Sequence, residues 1–106
     1  MRQEFNMKEF EVTCVSRNAA FSDRHECITH IGNSIHGWRL TKVEAIARIE
    51  AKTEAYYTVD RNTQKKAYIG VVKQSGKPPY LRTYADGVWN DNLVSLLECV
   101  GVKVVA

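Results

Sequence analysis

Residues Ala67–Cys99 read AYIGVVKQSGKPPYLRTYADGVWNDNLVSLLEC, and this stretch holds most of the turn chemistry from which the fold class follows. Between Lys66 and Lys73, Tyr68, Gly70 and Val72 alternate with Ala67, Ile69 and Val71, the period of a strand. Apolar residues on both faces predict a central strand. Ser75-Gly76 then supplies a turn, and Pro78-Pro79 withholds two backbone donors before pairing resumes at Tyr80. Tyr80, Arg82 and Tyr84 share one face of the next strand, and Leu81, Thr83 and Ala85 share the other. Asp86-Gly87 is the signal for a two-residue type I′ hairpin turn, which would set Tyr84 opposite Trp89. Beyond it, Asn90, Asp91 or Asn92 can cap a short helical turn that buries Leu93, Leu96 and Leu97.

Upstream, Ala55–Val59 is rich in β-formers, and Asp60-Arg61-Asn62-Thr63 turns it back into the strand at Lys66. A helix precedes it. Thr41 and Glu44 form a Thr-x-x-Glu capping box at its start, and Glu44 with Arg48 makes a favourable i, i+4 pair. Val43, Ile46 and Ile49 mark its apolar stripe, and the helix fades near Lys52. Earlier still, Cys27–Ile31 is a short strand closed by Gly32-Asn33-Ser34, and Ser16–Glu26 is a polar loop. Phe10–Val15 alternates as a half-buried strand. The expected fold is α+β: one main helix on an antiparallel sheet of four to five strands, with a short C-terminal helical turn. Residues 1–9 are expected to be an extension, 10–99 a single domain, and 100–106 a tail that is either an edge strand or disordered.

Composition bounds the function. A chain of 106 residues, 44% hydrophobic and 25% charged, suits one domain with a modest core. No apolar run approaches the roughly 20 residues of a membrane span, and no secretory or transit signal is visible, so a soluble, cytoplasmic protein without a membrane partner is expected. Cys14, Cys27 and Cys99 are odd in number and widely spaced, which favours reduced thiols over a disulfide framework or a zinc knuckle. The net charge is +3, but it is unevenly laid out. Arg61, Lys65, Lys66, Lys73, Lys77 and Arg82 fall between residues 61 and 85 with no acidic residue among them, leaving nine basic against twelve acidic residues elsewhere.

Tyr80-Leu81-Arg82-Thr83, Ala85-Asp86-Gly87, and Asn92-Leu93 with Leu96 and Cys99 resemble the closing signature of a small bacterial family catalogued as domain of unknown function 3892. The resemblance extends upstream through Ile28–Gly32, Trp38, the helix at Thr41–Ile49 and Tyr56-Tyr57, so it spans about Phe10 to Cys99. The chain departs from the pattern at Leu97, where the family tends to have proline, and in the tail after Cys99. The resemblance implies a fold unit but names no activity, because the family is itself uncharacterised.

Three chemistries can be weighed on the residues. His25, Cys27, His30 and His36 are the one cluster of soft ligands, yet Cys27 and His30 point to opposite faces of a strand and no carboxylate or second cysteine pair completes a tetrahedral site. No metal or cofactor is expected. Catalysis lacks a nucleophile elbow or phosphate loop, and Asp86 and Asp91 have turn and capping roles, so a non-enzymatic protein is expected. The candidate that stands is a binding face. Lys65, Lys66, Lys73, Lys77 and Arg82 could meet phosphates while Tyr80, Tyr84 and Trp89 stack on unpaired bases of nucleic acid. Against it, lysines also protect sheet edges, aromatic residues also build cores, and Arg82 could simply stack between Tyr80 and Tyr84. The alternative is a protein-interaction or self-association module, suggested by the apolar run Val100–Ala106.

Overall fold

One bent segment near the N-terminus ties two sheets together in the computed structural model, which describes residues 7–18 and 25–101. Strands β1 (Lys8–Glu11) and β2 (Cys14–Arg17) are separated only by Val12 and Thr13. Val12 donates its N–H to the Tyr57 carbonyl at 2.7 Å, and Thr13 donates to the Gly32 carbonyl at 2.9 Å, so the ladder changes sheets within two residues. The buried Asn33 side chain holds the bend: its Nδ2 donates to the Glu11 carbonyl and its Oδ1 accepts from the His36 N–H, both at 2.9 Å. A buried amide with both ends paired costs little.

The chain continues through β3 (Ile28–Asn33), β4 (Trp38–Thr41), α1 (Lys42–Glu50), β5 (Glu54–Val59), β6 (Lys66–Val72), β7 (Tyr80–Ala85), β8 (Val88–Asn90) and β9 (Leu97–Glu98). The five-stranded sheet has the order β1-β5-β6-β7-β8, and the four-stranded sheet β4-β3-β2-β9. Both are mixed. β1 runs parallel to β5 and β2 parallel to β9, and every other neighbouring pair is antiparallel. Val12, Val15, Ile31, Leu40, Tyr56 and Leu81 are buried in one cluster between the sheets, with Ala45 of α1 packed into it. Each full burial of an aliphatic side chain contributes about 1.5–3 kcal/mol, and this shared core holds the two sheets together.

Much of the central stretch follows the sequence reading. β6 lies between β5 and β7 with Ala67 and Ile69 buried, and Ala85 pairs Val88 around an Asp86-Gly87 turn whose φ values, 55° and 79°, are both left-handed. Thr41 caps α1, accepting from the Glu44 N–H at 3.2 Å, while the Glu44 carboxylate turns to Arg48 at 2.9 Å.

Five expectations are corrected. The single antiparallel sheet is two mixed sheets, because the strand read as Phe10–Val15 divides at its bend and serves both. Val43 is 76% exposed, and Ala45, with the half-buried Ile46 and Ile49, makes the apolar side of the helix. In place of the expected C-terminal helical turn, the described residues after β8 make isolated turns, with Ser95 donating to the Asp91 carbonyl and Leu96 to the Leu93 carbonyl, and Leu97, expected inside, is 81% exposed in β9. Arg82 is not sandwiched between Tyr80 and Tyr84, since its Nε donates to the Asn90 carbonyl and its Nη2 to Asp91. Finally, Cys14 and Cys99 form a disulfide across 85 residues, and the buried Cys27 takes no part in it. Wide spacing concealed a pairing made by the parallel β2–β9 contact. Such bonds persist in oxidising surroundings and are rare in a reducing cytoplasm, so this one weighs against the cytoplasmic expectation. Among the described residues, no helix is long and apolar enough to cross a membrane. Residues 1–6 of the expected extension and 102–106 of the tail lie outside the described residues.

Candidate functional site

The outer face of the five-stranded sheet carries an aromatic row produced by register alone. Tyr57 pairs Tyr68, Tyr68 pairs Tyr84, and Tyr84 pairs Trp89, so four aromatic residues on four adjacent strands stand directly opposite one another. Side chains opposed across a ladder lie on one face, and here that face points away from the core. Ring centroids are 5.9 Å apart for Tyr57–Tyr68 and 5.3 Å for the edge-on Tyr84–Trp89 pair. Tyr68, Tyr84 and Trp89 remain 41%, 44% and 38% exposed, a large aromatic area to leave in water.

Gly70 shapes the middle of the row. A Cβ there would stand 3.2 Å from the six-membered ring of Trp89, so the missing side chain lets the indole reach across β7 and lie over β6. Tyr68, Gly70, Val71, Tyr84 and Trp89 border a shallow hollow of about 360 Å³.

The charges around this face are largely matched. Lys66 Nζ lies 4.4 Å from the Tyr57 ring centroid and 3.9 Å from Glu9, whose carboxylate also accepts from the Tyr68 hydroxyl at 2.9 Å. That hydrogen bond, with some burial and the Glu9 charge, pushes the Tyr68 phenol above its ordinary range. Arg82 is bound to Asp91 at 3.1 Å. Lys73 pairs with Glu50 of α1 at 2.5 Å and Lys77 with Glu26 at 3.8 Å. Four of the six basic residues of the 61–85 segment, Lys66, Lys73, Lys77 and Arg82, are therefore met by acids from outside it. Lys65 is exposed just before β6.

Of the expected binding residues, the fold brings Lys66, Tyr84 and Trp89 to one face with Arg82 beside them. Tyr80 is buried to 7% exposure and stacks on His25 at 6.0 Å, although it shares the strand parity of Arg82 and Tyr84. Tyr57 and Tyr68 were missed as binding candidates. Their signal was available in the pairing of β5 with β6 through the Asp60–Thr63 turn, which sets Tyr57 opposite Tyr68. The soft ligands separate in space: His25 lies 3.4 Å from Asp91, His30 Nδ1 meets the Thr29 hydroxyl at 2.9 Å, and His36 sits in the turn before Trp38. Among the described residues no group of three or more potential metal ligands gathers.

A second feature lies where the sheets meet. Phe10, Trp38, Leu40, Arg48, Glu54 and Tyr56 enclose a cavity of about 140 Å³. Glu54 accepts from the Tyr56 hydroxyl and, at 3.1 Å, from Arg48. Burial raises the Glu54 carboxyl, but the bonds from Tyr56 and Arg48 and the charges of Arg48 and Lys8 outweigh it and leave the group below its usual range. Tyr56 moves the other way, raised first by burial and then by the carboxylate it serves.

Comparison with known proteins gives a match to the model of a family described as "Protein of unknown function (DUF3892)" over residues 11–97. No curated protein and no solved structure matches the chain.

Proposed function

The chain belongs to this family of unknown function, DUF3892, and from its own surfaces we propose that it is a non-enzymatic binding domain that docks single-stranded nucleic acid on the outer face of its five-stranded sheet. The observation that supports this reading is the register that places Tyr57, Tyr68, Tyr84 and Trp89 opposite one another. Unpaired bases offer flat π faces to such a platform, and each stack is worth about 1–3 kcal/mol. Lys66 and Arg82 lie at the sides of the row, where they can exchange a carboxylate for a phosphate.

The distribution of charge sharpens the reading. With Lys73 and Lys77 engaged by Glu50 and Glu26, stacking rather than counterion release dominates binding. Two phosphate contacts would give a log–log salt slope of only about −1.4. The test is a fluorescence-polarisation titration of short single-stranded and duplex oligonucleotides at two salt concentrations. Trp89→Ala and Tyr84→Ala should each weaken single-strand binding about 5- to 100-fold. Changing Lys73 and Lys77 to Glu should alter it less than threefold. Absence of single-strand binding at low salt, or unchanged affinity in both aromatic variants, defeats the proposal.

A protein-interaction or self-association role is the second reading, favoured by Leu97 and Val100, 81% and 79% exposed at the β9 edge of the other sheet. Light scattering on the same preparation separates the two: a stable dimer dispersed by Leu97→Asp would favour association.

A further inference from the structure

The β1 and β4 edges of the two sheets border the same seam, and its floor holds three rings from three strands. Phe10, Trp38 and Tyr56 form a near-equilateral triangle, with centroids 6.2 Å apart for Phe10–Trp38, 6.0 Å for Phe10–Tyr56 and 6.1 Å for Trp38–Tyr56. Phe10 and Trp38 are only half-buried, so the cavity they line is reached from solvent.

Shape, charge and hydrogen bonding each select the occupant. A group seated over the middle of the triangle lies within the about 6 Å reach of a cation–π contact with all three rings at once. The planes are inclined by 75°, 29° and 52°, so one flat ring cannot lie against all three, whereas a rounded group can. At the end of the cavity Arg48 bridges two carboxylates, Glu44 at 2.9 Å and Glu54 at 3.1 Å, and so holds the Glu54 carboxylate beside the rings. The walls are mostly apolar, and Glu54 Oε1 already accepts from both Tyr56 and Arg48. A primary ammonium would bring N–H donors that find few acceptors, and a cation with none to satisfy avoids that loss.

We propose that the Phe10–Trp38–Tyr56 cavity, with Glu54 beside it, is a binding site for a quaternary ammonium group. The group is held by cation–π attraction from the three rings and by the neighbouring Glu54 carboxylate. This site lies on the opposite side of the five-stranded sheet from the aromatic row, so it stands or falls independently of nucleic-acid binding.

The test uses the full chain carrying Trp89→Phe, which leaves Trp38 as the one tryptophan and makes its emission a local reporter. Choline and its neutral isostere 3,3-dimethyl-1-butanol are titrated in parallel. Saturable quenching by choline at an affinity at least tenfold tighter than for the isostere is expected, together with a three- to tenfold weakening in Glu54→Gln. A peptide bearing trimethyllysine, set against its unmodified lysine counterpart, identifies the source of the group: tighter binding than choline points to a modified side chain, and equal or weaker binding to a free small molecule. Equal affinity for choline and the isostere, or no change in Trp38 emission with choline and either peptide, overturns the proposal whether or not the Glu54 variant folds.

Discussion

The two sheets are closed by different means. In the five-stranded sheet, β5, β6, β7 and β8 follow one another as hairpins, so these three ladders join neighbours in sequence, and β1 is added in parallel at the β5 edge. The four-stranded sheet instead ends on β9, a two-residue strand brought back from the far end of the chain to lie parallel to β2. That contact is made firm from outside the ladder: by the Cys14–Cys99 disulfide, by Cys99 donating its N–H to the Val15 carbonyl at 2.9 Å, and by Arg17, whose guanidinium donates to Glu98 and to the Val94 and Leu96 carbonyls, each at 2.6 Å. Gly32 belongs to the same closure, because a Cβ there would stand 2.6 Å from the Trp38 carbonyl and 3.0 Å from the Cys99 sulfur. Local hairpins need little beyond their turns, whereas a distant strand has to be pinned.

The contrast is broken most severely by Cys14→Ser with Cys99→Ser. Freeing a link across 85 residues should cost about 2–4 kcal/mol, read as a lower urea midpoint, and a reductant should impose the same loss on the unaltered chain. Hydrogen exchange should locate the loss: amides of β2 and β3 lose protection while those of β6 and β7 keep theirs. Equal loss in both sheets would show that they do not differ in the way described.

A smaller effect should come from the other sheet. Gly87→Ala places a Cβ on a residue with φ of 79°, at a cost of about 1–2 kcal/mol, and should loosen β7 and β8 while leaving the disulfide-closed sheet intact. It should also weaken oligonucleotide binding, since Trp89 depends on that turn for its place opposite Tyr84.

The smallest effect is a dependence on pH lodged in the four-stranded sheet. Burial, then the charge of Arg39, holds the His30 pKa below its ordinary value of 6.5. The unfolded chain therefore takes up this proton more readily. His30 leaves stability undiminished above about pH 6.5, and stability falls as the pH drops through the lowered folded value. Urea midpoints measured from pH 7.5 to 5 should decline, and His30→Gln should flatten the decline. An identical slope in the variant would assign it to other groups.

Legibility in the sequence followed the same division. The Asp86-Gly87 turn, the Tyr84–Trp89 pairing, the place of β6 and the Thr41 cap could all be read because each depends on residues within a few positions. Val43 was misplaced because an apolar stripe on a nine-residue helix can be drawn along more than one line, and only the packed sheets choose Ala45 for the inside. Tyr80 was assigned to the wrong environment because its strand parity gives no notice of His25 arriving to cover it. The lysines looked unopposed because Glu9, Glu26 and Glu50 lie outside the 61–85 segment.

By itself the sequence determined the hairpins, the helix start and the family, since backbone turn preference, capping and side-chain alternation act over a few residues and leave their marks there. Only the tertiary structure decided that one bent strand serves two sheets, that Cys14 meets Cys99, that Tyr80 is covered by His25, and that Phe10, Trp38 and Tyr56 converge on one cavity. Those outcomes depend on which distant surfaces share the core, and burial is a property of the whole chain.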